Sequence, residues 1–141
     1  MIRRASAVWQ GDLKGGKGTM TAPSGVMTDA LYTFATRFEE KPGTNPEELI
    51  AAAHAGCFSM AFSGELGKAG MTPERVETTA AVSLEMVDGK PTVTKSHLTV
   101  RAKVPGADPA KFQEAANGAK AGCPISRLLK AEITMEAVLE S

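Results

Sequence analysis

The segment that most constrains the fold runs from Asn45 to about Leu66, "NPEELIAAAHAGCFSMAFSGEL". Asn45 is a good N-cap, Pro46 suits the first helical position, and Glu48 can close a capping box. Apolar and small residues then continue without a breaker. Gly67 and Gly70 can end the helix, and Pro73 lies beyond. The middle of this helix, "AAAHAG", is rich in small side chains, which let another helix approach closely. Cys57, one of only two cysteines in the chain, falls in its centre. The other, Cys123, stands just ahead of Pro124, where a short helix is expected to begin.

The remaining elements follow from turn residues and alternation. "LKGG" between "ASAVWQGD" and "GKGTMTA" reads as a hairpin, and "APSGVMTDA" as a loop. "LYTFATRFEE" reads as a strand running into the turn "KPGTN". Val76, Thr78, Ala80, Val82, Leu84 and Met86 share one face of a strand. "VDGK" is a hairpin signal. The return strand turns Leu98, Val100, Ala102 and Val104 inward and His97 outward. Asp108-Pro109 starts a second helix, which "NGAKAG" closes. A last strand turns Ile133, Met135, Ala137 and Leu139 inward. Hairpins without regular βαβ alternation give an α+β fold.

A chain of 141 residues is one domain, 1–141, large enough to bury a core without staples. Sixteen basic and sixteen acidic residues cancel, which argues against nucleic acid and anionic membrane as partners, since both need a positive face. The N-terminal "MIRRASAVWQGD" has no apolar region of the secretory kind, and no apolar run is expected to approach the ~18 residues of a membrane span. The expected compartment is the cytoplasm, where stable disulfides are unusual. Two cysteines there are either inert thiols or a cycling redox pair.

The thiolate is the nucleophile, and a free thiol with a pKa of about 8.5 is mostly protonated at neutral pH. Cys123 has a local helper: as N-cap ahead of Pro124, its sulfur can face free N–H groups of the first turn. Cys57 has none; burial in mid-helix raises its pKa, and only a charge from elsewhere in the fold could activate it. From the residues alone, three readings stay open. The cysteines are buried core residues or sensors in a lipid-binding or small-molecule-binding module. They are a catalytic redox pair. Or they form a static Cys57–Cys123 bond, worth about 4 kcal/mol in the chain-entropy model.

The segments "TRFEEKPGTNPEELIAAAHAGCFSMAFS" and "AKAGCPISRLLKAEITMEAVLES", with "WQGDLKGGKGT" near the start, resemble the osmotically inducible protein C (OsmC) family. Its sister group is the organic hydroperoxide resistance proteins. The resemblance covers essentially the whole chain. It implies an intertwined homodimer of OsmC-like fold, with antiparallel sheets wrapped around long central helices and active sites at the subunit interface. It implies a thiol-dependent peroxidase that reduces organic hydroperoxides, with Cys57 matching the peroxidatic cysteine and Cys123 its resolving partner. Arg37 matches the arginine that holds the peroxidatic thiolate, and Glu47 the carboxylate that orients this arginine. Glu48 lies beside it, but the offset from the cysteine favours Glu47. The reductant implied by the sister group is a dithiol such as a lipoylated protein. No cofactor or metal is implied.

A geometric expectation stands apart from the family. Ten residues separate Glu47 from Cys57, about 15 Å of rise on an unbroken helix. If both serve one site, Glu47, and Arg37 with it, comes from the partner subunit. A helix break near residue 52 would undo this. Phe58, Met60 and Phe62 are expected to present an apolar wall to an alkyl or aryl hydroperoxide, the alternative being that they are core. His54 is expected to be packed or exposed on the helix, without acting as a base. His54 and His97 fit no compact zinc spacing with the cysteines. "GGKG" and "GELGKAG" lack the spacing of a phosphate loop and read as turns.

Overall fold

Glycine and a pair of threonines shape the N-terminal part of the chain. In the computed structural model, which describes residues 1–140, the expected first hairpin joins β1 (Ser6–Gln10) to β2 (Lys17–Thr21), and β3 (Ala30–Tyr32) completes an antiparallel sheet of order β1-β2-β3. Gly18 is required there: a Cβ at that position would lie 2.6 Å from the Tyr32 ring and 2.7 Å from the Trp9 ring. "GGKG" is part of this hairpin, as expected.

The strand expected over "LYTFATRFEE" ends at Tyr32, and its remainder is a short helix, α1 (Phe34–Phe38). The cause is a reciprocal cap. The Thr36 amide donates to Thr33 Oγ1 at 3.2 Å, and the Thr33 amide donates to Thr36 Oγ1 at 2.9 Å. Two orphan donors are satisfied at once, which outweighs the strand preference of the aromatic and β-branched residues nearby. Arg37 therefore sits on a helix.

The long helix α2 (Pro46–Lys68) is unbroken. Asn45 caps it, its Oδ1 accepting from the Glu48 amide at 2.8 Å, while its Nδ2 donates to the Thr36 carbonyl at 3.0 Å. The expected capping box does not close: the Glu48 carboxylate accepts from the Thr44 hydroxyl at 2.9 Å instead. At the other end the Met71 amide donates to the Leu66 carbonyl and the Gly70 amide to that of Gly67, with Gly70 at φ +79°. This paired closure needs a left-handed residue, hence glycine. By length and composition alone α2 could cross a membrane, which corrects the expectation that no apolar run approaches a span. Its sides are unlike, however. Phe58, Phe62 and Leu66 are fully buried, whereas Ala52, Ala53, Gly56, Met60 and Gly64 are exposed. A Cβ added at Gly56 or Gly64 would meet nothing within 4 Å.

The chain divides into two units, Met1–Leu49 and the residues from Ile50 onward. In the second, β4 (Arg75–Val87) and β5 (Lys90–Lys103) form a hairpin turned by Asp88 and Gly89, both at positive φ, as a two-residue Asp-Gly turn demands. Alternation holds through Val82, and then a bulge between Ser83 and Leu84 shifts the register. Met86, expected inward, is 67% exposed, and Glu85 and Val87 beside it at the end of the hairpin are exposed as well. Two further helices, α3 (Pro109–Gly122) and α4 (Pro124–Leu128), carry the chain across to β6 (Glu132–Glu140). This crossover lays β6 parallel to β5, so the β4-β5-β6 sheet is mixed and not antiparallel throughout.

The core of this unit joins Phe58, Phe62 and Leu66 of α2 to Leu98, Val100 and Ala102 of β5 and to Phe112, Ala115, Ala116 and Ala119 of α3. Phe62 stands edge-on to Phe112 at 5.2 Å and tilted to Phe58 at 5.5 Å between ring centroids. Ile133, Met135, Ala137 and Leu139 of β6 pack against it as expected. In the first unit the pattern differs: among the described residues, no hydrophobic side chain from 1 to 49 is fully buried, and Val8, Leu13 and Leu31 are exposed.

Candidate active site

Cys123 is the residue at which α3 ends and α4 begins. Pro124 cannot donate a hydrogen bond, so the chain turns there, and the Cys123 sulfur takes the N-cap position. It accepts from the Ser126 amide at 3.4 Å, and its thiol donates to Ser126 Oγ at 3.3 Å. The side chain is fully buried. Burial pushes its thiol up, but the Ser126 hydroxyl and amide, Cys57 and the Ile125 amide together outweigh burial and hold it below the usual range. The expected role of Cys123 as N-cap is thus borne out, with its electrostatic consequence.

Cys57 is half-buried on α2, and both thiols are free. The two cysteines lie close enough to act on each other's ionisation. Burial pushes the Cys57 thiol up; the Ile125 amide opposes this, and Cys123 adds to it. Of the two sulfurs, the buried one is therefore the more acidic within this unit.

One turn before Cys57, His54 is fully buried and bonded at both ring nitrogens. Nδ1 lies 2.7 Å from Ser96 Oγ on β5, and Nε2 lies 2.7 Å from Ser126 Oγ on α4. Burial lowers its pKa, which favours the neutral ring. The expectation of a packed helix residue holds, but the ring also links α2, β5 and α4 beside the thiols. Ser96 and Ser126 were not singled out in the sequence. A signal existed for each: Ser96 is a polar residue at an inward register position next to Leu98, and Ser126 stands three residues after an N-cap, where a returning side chain often sits.

Arg37 and Glu47 belong to the first unit and pair directly. Arg37 Nη2 donates to Glu47 Oε1 at 2.7 Å, and Nε donates to both carboxylate oxygens at 3.1 and 3.2 Å. Thr36, Asn45 and the start of α2 hold the two elements that carry them. Glu47 is buried and Arg37 is partly open. The open side of Arg37 borders a cavity of about 270 Å³ lined with Trp9, Leu13, Tyr32, Phe34 and Phe38. The guanidinium also stacks over Phe38 at 5.1 Å.

The wall expected from Phe58, Met60 and Phe62 does not form. Phe58 and Phe62 are core, while Met60 is 81% exposed on another side of α2. Three residues with that spacing cannot share a helix face. His97 is bonded to Thr134 at 2.6 Å, and among the described residues no cluster of three metal-ligating side chains occurs.

Fold and site together define an α+β protein with a paired-thiol centre. A family model described as OsmC-like protein matches residues 38–138. The chain belongs to the OsmC family. It is 52% identical over 139 residues to Peroxiredoxin OsmC of Escherichia coli K12, covering 99% of this chain and 97% of that one. It is 30% identical over 128 residues to organic hydroperoxide resistance protein OhrB of Bacillus subtilis, covering 90% and 93%. Among solved structures, an OsmC-like protein from Mycoplasma pneumoniae shares the fold, with a TM-score of 0.76 at 14% identity over 100% of this chain and 99% of that one.

Proposed function

We propose that this chain is a thiol-dependent peroxidase that reduces organic hydroperoxides to alcohols, with Cys57 as the peroxidatic and Cys123 as the resolving cysteine. The observation that carries the reading is a buried thiol at a helix N-cap, Cys123, bonded to Ser126 and accompanied in the same unit by a second free thiol, Cys57. Relatives named peroxiredoxin and organic hydroperoxide resistance protein support it.

The chemistry is two-electron. The Cys57 thiolate attacks the distal peroxide oxygen, the O–O bond breaks, and the alkoxide takes a proton and leaves as the alcohol. Cys57 becomes a sulfenic acid, which condenses with the Cys123 thiol to a disulfide and water. An external dithiol, such as a lipoylated protein, reduces that disulfide. Cys57 needs a cation to offset its burial, and in this reading Arg37 supplies it, held by Glu47. Arginine keeps its charge when partly buried and can grip a carboxylate and a thiolate at once.

The pair belongs, in this reading, to the partner subunit of a homodimer. Two features support assembly: the first unit buries no hydrophobic side chain of its own among the described residues, and α2 leaves a small-residue face uncovered. Isolated small sheets are marginal without a packed face. The aromatic cavity beside Arg37 suits the organic body of the substrate, and hydrogen peroxide would gain nothing from it. The compartment in this reading is the cytoplasm, where stable disulfides are unusual and a thiol pair can cycle.

The test is consumption of cumene hydroperoxide with dithiothreitol as reductant. Wild type turns over and prefers cumene hydroperoxide to hydrogen peroxide. Cys57→Ser abolishes turnover, and Cys123→Ser leaves one oxidation of Cys57 per site. Absence of turnover in folded wild type would overturn the reading and leave the aromatic cavity as the binding site of a non-catalytic module.

A further inference from the structure

We infer that His54 and Ser126 form a proton relay serving Cys123, with Ser96 fixing the ring. The inference rests on the proposed roles of the two cysteines and adds residues to that site. It starts from the number of hydrogens available. Ser126 Oγ accepts the Cys123 thiol hydrogen at 3.3 Å. A hydroxyl has one hydrogen to give, and the remaining partner of Ser126 is His54 Nε2 at 2.7 Å. With the thiol protonated and donating, the Ser126 hydroxyl is assigned as donor to Nε2, which fits the Nδ1–H tautomer of the ring; once the thiol ionises, the hydroxyl turns to the sulfur and stabilises the thiolate. The neutral ring then carries its hydrogen on Nδ1 and donates it to Ser96 Oγ at 2.7 Å. The resulting chain is Cys123 S–H to Ser126 O–H to His54 Nε2, all within one unit of the fold.

This chain points a base at the resolving thiol. During resolution the Cys123 proton moves to Ser126 as the Ser126 proton moves to Nε2, giving an imidazolium and a thiolate. The thiolate attacks the Cys57 sulfur, the S–S bond forms and the S–O bond breaks. The leaving hydroxide takes the stored proton back through Ser126 and departs as water. When the external dithiol reduces the disulfide, the proton lost by its attacking thiol reaches the departing Cys123 thiolate through the same chain, and the ring ends neutral. Burial favours the uncharged ring at rest, so the relay holds the proton only transiently.

Among the described residues, the titratable groups that act on the thiol end of the chain are Cys57 and Cys123 themselves. From β5, Lys95 and His97 flank Ser96 but alternate to the opposite face, and His97 is bonded to Thr134. From α4, Arg127 is exposed. Among the described residues none of the ion pairs includes a member of the chain.

The experiment has two readouts. In a Cys57→Ser background, the pH dependence of Cys123 alkylation by iodoacetamide is compared for Ser126, Ser126→Ala, Ser126→Thr and His54→Gln. The expected result is an alkylation rate at neutral pH lowered about tenfold by Ser126→Ala and by His54→Gln, the size of one pKa unit. Ser126→Thr, which keeps the hydroxyl, restores it. With both cysteines present, the Cys57 sulfenic acid is trapped by dimedone; its lifetime lengthens in Ser126→Ala, and the difference closes at alkaline pH, where Cys123 ionises unaided. A wild-type alkylation profile in both variants, or a lengthened lifetime independent of pH, overturns the relay. Failure of wild type to form a Cys57 sulfenic acid or a Cys57–Cys123 disulfide overturns the peroxidase assignment instead, and the alkylation profile still decides the relay.

Discussion

Arg37 and Glu47 are joined by a forked pair of hydrogen bonds, with Nη2 at 2.7 Å and Nε at 3.1 Å from the same carboxylate oxygen. The fork fixes the guanidinium plane, and Arg37 also lines the aromatic cavity. An opposite charge lowers the pKa of a neighbouring acid by about 1–3 units. Arg37→Ala is therefore expected to cut the rate constant for Cys57 oxidation about tenfold or more at neutral pH. Glu47→Gln should lose less, because the charge stays and only its aim is lost. Stopped-flow oxidation of the reduced protein by cumene hydroperoxide checks both.

Shared sites make a distinct arithmetic prediction. If Arg37 and Glu47 serve the Cys57 of the partner, a mixed dimer of Cys57→Ser and Arg37→Ala subunits holds one complete site. Random reassembly of equal amounts should recover roughly a quarter of wild-type activity, since half the dimers are mixed and each has one of two sites. Activity no higher than that of either parent would show that each chain completes its own site.

Acid should weaken the fold through His54. Burial lowers its pKa from the ordinary 6.5. The unfolded chain then binds more protons than the folded one just below that value, so stability is full above it and falls as pH drops. Urea unfolding between neutral and mildly acidic pH is expected to show this decline. His54→Gln should flatten the slope, whatever it does to the overall level.

Phe62 is fully buried and touches both Phe58 and Phe112. Truncation to alanine removes most of its contacts and leaves a cavity between α2 and α3. Phe62→Ala should cost about 3–5 kcal/mol, read by thermal or urea unfolding. Met60→Ala, at an exposed position of the same helix, should cost far less in the isolated chain.

Local grammar carried much of this structure into view from the sequence. Asn45, Gly70, the Asp88–Gly89 turn, the Asp108 and Cys123 caps and the inward set of β5 were legible because each depends on neighbours within a few residues. The misreadings have equally definite causes. A threonine cap converted part of a strand into α1, and Met86 lies at a hairpin end exposed on both faces, neither of which shows in simple alternation. Phe58 and Phe62 were open between substrate wall and core, because helical spacing does not say which face meets the core, and they are core. The Arg37–Glu47 pair came from resemblance, and its geometry from the structure. The links from His54 to Ser96 and Ser126 span 42 and 72 residues, and only tertiary folding brings such groups together.

Gly56 and Gly64 lie inside α2 facing open space. Glycine in a helix interior costs about 1 kcal/mol relative to alanine, and no contact within the single chain offsets that cost at either position. Whether alanine there helps or harms should consequently depend on protein concentration. In dilute solution Gly56→Ala and Gly64→Ala should raise the melting temperature, as relief of backbone entropy. At concentrations where subunits associate through this face, the added methyl groups should hold the two backbones apart and lower it. A melting curve that shifts in opposite directions across a dilution series would turn these glycines into a gauge of assembly, with each substitution reporting which state of the chain is being melted.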